Sequence, residues 1–77
     1  MLMNQPRVKY ETVILMRALK AYKPDVFGGS RLARMFGVSR GHAQKIVRGA
    51  VWKDIPFPNE EDAQIIATGY LERTSLY

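Results

Sequence analysis

The stretch Leu32-Ala33-Arg34-Met35-Phe36-Gly37-Val38-Ser39-Arg40-Gly41-His42-Ala43-Gln44-Lys45-Ile46-Val47-Arg48-Gly49 decides the fold. Its apolar residues Leu32, Phe36, Val38, Ala43, Ile46 and Val47 can line one inner face of two short helices. Ser30 stands where an N-cap belongs, before a helix over 30–36. Gly37 breaks that helix, because a glycine can take the left-handed conformation of a tight turn. Ser39 caps a second helix over 39–48, and Gly49 is its natural residue past the C-terminus. Ala33 is small enough to let the two helices cross closely. Two short helices joined at Gly37-Val38 follow the logic of a helix-turn-helix.

Upstream, Leu15, Ala18, Leu19 and Tyr22 fall at helical spacing over 10–22, with Arg17, Lys20 and Lys23 off that stripe. Thr12 is a candidate cap for this helix. Lys23-Pro24 stops it, since proline disfavours helix at the residue before it. Residues 25–29 form a loop that turns at Gly28-Gly29. Downstream, Pro56-Phe57-Pro58 cannot continue a helix. Asn59 caps a last helix over 60–72, and Glu60, Glu61 and Asp62 crowd its first turn, where the helix dipole favours them. Gly69 weakens its end. No segment alternates as a strand does. The expected fold is all-α, a small bundle of about four helices in a single domain over 1–77, with 1–6 and 73–77 as candidate tails. The expected core is Leu15, Leu19, Leu32, Ala33, Phe36, Val38, Ile46, Trp52 and Ile55, with Tyr10 and Tyr22 at its edge.

Seventy-seven residues leave room for one domain only. The chain has no cysteine, which excludes disulfides and thiolate metal sites. The lone histidine, His42, cannot nucleate a zinc site by itself. The longest unbroken apolar run, Val13-Ile14-Leu15-Met16, is far short of the roughly 20 residues of a membrane span. Met1 to Pro6 does not read as a signal peptide, so a cytoplasmic protein without a membrane partner is expected.

The net charge is +5, and its distribution is uneven. Residues 1–25 carry +3 and residues 54–77 carry −4. Residues 26–53 carry Arg31, Arg34, Arg40, Lys45, Arg48 and Lys53 and no acid. Such a stretch is a footprint for a polyanion. On the second helix of the pair, Arg40, Gly41, Gln44, Lys45 and Arg48 form the outer face. Their donors and one amide suit phosphates and base edges. Ser39 can cap that helix while its backbone amides face a phosphate. Arg31 and Arg34 are candidates for backbone phosphates, and Lys53 extends the basic set. His42 is a candidate for phosphate or base-edge contact, against simple packing. Trp52 is read as core, against a nucleic-acid stacking platform. Glu60-Glu61-Asp62 is read as capping charge, against a metal or acid pair.

Residues 32–39 followed by Ile46 resemble the helix-turn-helix of bacterial and phage DNA-binding proteins. The continuation Ile46-Val47-Arg48-Gly49-Ala50-Val51-Trp52-Lys53-Asp54-Ile55 is similar to small DNA-binding segments of phage regulators and phage homing endonucleases. The resemblance covers about residues 29–55. Gly41 departs from it, standing in the first turn where a side chain usually reaches DNA. The resemblance implies a sequence-specific binder of double-stranded DNA, a small phage or mobile-element transcription regulator in a bacterial host. Helix 39–48 would enter the major groove.

Other classes weigh less. A protein-interaction module, such as an inhibitor of a host enzyme, is disfavoured by the acid-free helix. A DNA-bending recombination or packaging accessory protein shares the DNA contacts. No nucleophile–base pair, metal-ligand cluster or phosphate-cradling glycine loop reads as an enzyme, and no cofactor or small-molecule ligand is expected. Ile65, Ile66, Tyr70, Leu71, Leu76 and Tyr77 offer a homodimer contact through the C-terminal helix.

Overall fold

The run Val13–Met16 lies in the first helix, α1 (Tyr10–Tyr22), and makes it apolar around most of its circumference. Such a helix must be enclosed by others. In the computed structural model, which describes residues 9–74, α1 packs against both α3 (Arg40–Arg48) and α4 (Glu60–Thr74). Helix α2 (Gly29–Phe36) packs on α3. The fold is all-α, with no strand among the described residues. No described helix is long and apolar enough to cross a membrane.

The turn chemistry explains the helix ends. Gly37 (φ 70°) and Gly49 (φ 81°) are left-handed and close α2 and α3. The Val38 amide reaches back to the Ala33 carbonyl at 3.0 Å, and the Ala50 amide to Lys45 at 2.9 Å. Ser39 Oγ accepts from the His42 amide at 3.1 Å, and Asn59 Oδ1 accepts from the Asp62 amide at 2.7 Å. Both side chains are the caps that the sequence implies. Two other caps differ. Helix α1 starts behind Lys9, with Thr12 already inside it. Helix α2 starts at Gly29 behind Gly28, with no side-chain cap, so Ser30 is its second residue rather than its N-cap. Helix α4 runs past Gly69 to Thr74, so residues 73–74 are helical and not tail. Segments 1–6 and 75–77, including Leu76 and Tyr77, lie outside the described residues.

The core joins Val13, Met16 and Leu19 of α1 to Leu32, Ala33, Ala43 and Ile46 of the α2–α3 pair, with Ile55 and Ala67. Alanines let the helices approach: Ala33 and Ala43 are buried in the α2–α3 pair, and Ala63 and Ala67, four apart, are buried on α4. Phe27, in the loop before α2, is also buried. Leu15, Phe36 and Val38 are half-buried and pack against this cluster. Phe36 meets Tyr70 of α4 with ring centroids 5.8 Å apart.

Two residues correct the sequence reading. Arg17, off the apolar stripe, is 1% exposed, among the largest fully buried side chains. Trp52, read as core, is 39% exposed. It is also left-handed, at φ 57°, the only described non-glycine residue with positive φ. That conformation costs an L-residue roughly 1–2 kcal/mol, because Cβ crowds the carbonyl oxygen. Surrounding structure must hold it there.

Candidate nucleic-acid interface

Helix α3 buries Ala43 and Ile46 and turns Arg40, Gly41, Gln44, Lys45 and Arg48 to solvent. Arg40, Gln44 and Arg48 are spaced by four, and Gly41, Lys45 and Arg48 by four and three. The two rows lie side by side on one helical face. His42 is half-buried on the flank of that face. Ser39 takes up the His42 amide, which leaves the Arg40 and Gly41 amides as first-turn donors. A Cβ built on Gly41 meets nothing within 4 Å. The glycine is therefore not demanded by packing inside the protein, and it leaves bare backbone open to close approach from outside.

The start of α2 converges on the same face. A Cβ added at Gly29 would come within 2.5 Å of Gln44 Cγ, so the Gln44 side chain lies over the first turn of α2. Arg40 Nη1 donates to Ser30 Oγ at 3.4 Å, a long, exposed contact. Arg31 sets its guanidinium over the Phe27 ring, 5.5 Å from the centroid. Arg31 and Arg34 are exposed and, with Val26, Ser30 and Met35, line an open depression of about 590 Å³. Lys53 is exposed in the segment after α3. Arg40 and Gln44 of α3 thus meet the start of α2, while Lys45 and Arg48 are exposed further along α3. Glu60, Glu61 and Asp62 are exposed in the first turn of α4, and among the described residues no group of three or more His, Cys, Asp or Glu could hold a metal ion.

Arg17 holds this surface from behind. Its Nε donates to the Ile46 carbonyl at 2.8 Å, and Nη1 to Ile55 at 2.7 Å. Its Nη2 reaches the Val51 and Trp52 carbonyls at 3.0 and 3.2 Å. The Phe57 ring covers the guanidinium at 4.2 Å. Four carbonyls, one of them in the negative C-terminal turn of α3, replace the carboxylate that a buried cation usually finds. Desolvation lowers the Arg17 pKa, but a guanidinium remains charged at neutral pH. The signal in the sequence was position: Arg17 stands at i+4 from Val13 and next to Met16, on the enclosed side of α1.

No protein-family profile, curated protein or solved structure matches the chain. Helix α3 exposes three cations, Arg40, Lys45 and Arg48, with the Gln44 amide and the Gly41 backbone beside them.

Proposed function

We propose that this protein binds double-stranded DNA sequence-specifically as a small transcription regulator, with α3 in the major groove. The phage or mobile-element origin rests on the resemblance of residues 29–55 alone. The observation that carries the reading is the solvent-facing row Arg40, Gly41, Gln44, Lys45 and Arg48 on a capped helix inside an acid-free stretch. Arg40, Lys45 and Arg48 supply charge for phosphates and guanine edges, and Gln44 can pair with adenine. Arg31, Arg34 and Lys53 supply further phosphate contacts.

A single helix-turn-helix covers few base pairs, so two copies on two half-sites are part of the proposal. Of the described residues in the C-terminal apolar set, Ile65, 62% exposed on α4, and the half-buried Ile66 are the side chains left for such a contact. Tyr70 and Leu71 instead pack against the core. Selection of binding sites from random duplex DNA tests both claims: an enriched inverted repeat supports them. If no sequence survives competitor DNA, the protein-interaction module or the sequence-neutral DNA-bending protein replaces this reading.

A further inference from the structure

Trp52 combines three properties that a merely structural tryptophan does not need together. Its indole is partly exposed, its backbone is held left-handed, and that backbone is fixed from behind by a buried cation. The Trp52 carbonyl accepts both Arg17 Nη2 and the Ile55 amide, each at 3.2 Å. The same guanidinium holds the Ile46 carbonyl in the last turn of α3. Trp52 is therefore locked within one guanidinium's span of the helix end that carries Lys45 and Arg48. Of the two residues expected in the core here, Ile55 is buried and Trp52 is not. The residue beside it, Lys53, is exposed and basic.

We infer that Trp52 is a DNA-contacting residue, its ring packing on the sugar–phosphate backbone beside the groove that α3 enters, with Lys53 on the adjoining phosphate. This rests on the DNA reading of α3 and adds a second contact element to it. A duplex keeps its bases stacked, so the face open to an indole is the deoxyribose edge, with the indole N–H available to a phosphate oxygen. Arg17 is the positioning residue: it touches no DNA and presents Trp52 by occupying its carbonyl.

Trp52 is the only tryptophan, so its fluorescence reports on this site alone. The test titrates the protein at low salt with a short duplex of arbitrary sequence, following binding by anisotropy of a dye on the DNA. Acrylamide quenching of the indole is read in parallel. The expected result is protection of the indole on binding, with Trp52→Ala weakening affinity about tenfold at unchanged helical circular dichroism. Trp52→Phe, which keeps a ring, stands in should the alanine variant fold poorly, and loses less than tenfold. Duplex binding that leaves the indole equally quenchable, or a folded Trp52→Ala protein of native affinity, overturns the inference and leaves the α3 reading standing. Absence of binding to any duplex overturns both.

Discussion

Arg17 Nε donates to the Ile46 carbonyl at 2.8 Å, tying the middle of α1 to the last turn of α3 across 29 residues of chain. A hydrogen bond to a charged group contributes about 1.5–3 kcal/mol, and this guanidinium makes four such bonds in a site closed by Phe57. One side chain thus ties the last turn of α3 and the segment 51–55 to α1.

Arg17→Lys is expected to destabilise the protein by about 3 kcal/mol or more, because an ammonium cannot reach carbonyls on both sides of a planar fork. Arg17→Met, which removes the charge and leaves the Val51 and Ile55 carbonyls without the guanidinium's hydrogen bonds, should cost a similar amount. Urea denaturation of the two variants measures this. Native-like stability in either would mean that water or another donor can replace the clamp.

The core offers a graded test. Leu32→Ala and Ile46→Ala, at fully buried positions, should each cost about 2–5 kcal/mol. Trp52→Ala should cost less, since Trp52 is 39% exposed. The Phe36–Tyr70 contact should show a coupling of about 0.5–1.5 kcal/mol in a double-mutant cycle. Equal losses at Trp52 and Ile46 would return Trp52 to the core.

The all-α fold, its four helices and the two glycine turns were legible in the sequence because each follows from local chemistry. Proline ends α1, left-handed glycines end α2 and α3, and Ser39 and Asn59 cap α3 and α4. The cap of α2 was not legible: Gly28 and Ser30 both qualify locally, and the approach of Gln44 to Gly29 involves tertiary packing. Arg17 and Trp52 were misread for one shared reason. Residue type predicts burial only on average, and here four backbone carbonyls solvate a cation while a left-handed backbone leaves Trp52 partly exposed. The outer face of α3 was readable from spacing alone, but its meeting with the start of α2 was not.

Gln44 supplies a site-specific prediction. Gly29→Ala would drive a methyl into Gln44 Cγ, so it should displace that side chain and relax base preference at one operator position by about 1–3 kcal/mol. In a Gln44→Ala background the same change should leave preference untouched, because the side chain it displaces is gone. Binding-site selection with the single and double variants measures the coupling. Full additivity between the two positions would separate Gln44 from base reading.

Arg40→Ala and Arg48→Ala should weaken DNA binding without loss of helical circular dichroism, since both side chains are exposed. A phosphate contact weakens every duplex alike, whereas a base contact relaxes one position by about 1–3 kcal/mol. Mobility-shift titrations against a selected site and its single-base variants distinguish the two. Unchanged affinity in both variants would remove α3 from the groove.

The last expectation concerns salt. Residues 26–53 carry six cations and no acid, while residues 54–77 carry a net −4. A DNA-bound chain turns the first set to the duplex and keeps Glu60, Glu61 and Asp62 away from it. With about four to six phosphates neutralised per subunit, log K should fall against log salt with a slope of about −4 to −5, roughly doubled for a dimer. Slope alone does not identify a regulator, because any basic surface releases counterions. Discrimination by α3 should add a gap of about 10³ or more between a selected and a scrambled duplex. That gap should persist as salt rises, since base-edge hydrogen bonds release few ions. Measuring both duplexes from low to physiological salt separates the terms. A steep slope with no gap would mean that α3 binds the backbone without reading bases, as a sequence-neutral DNA-bending protein does. A shallow slope with no gap would take DNA away altogether and leave the exposed α3 face to a protein partner.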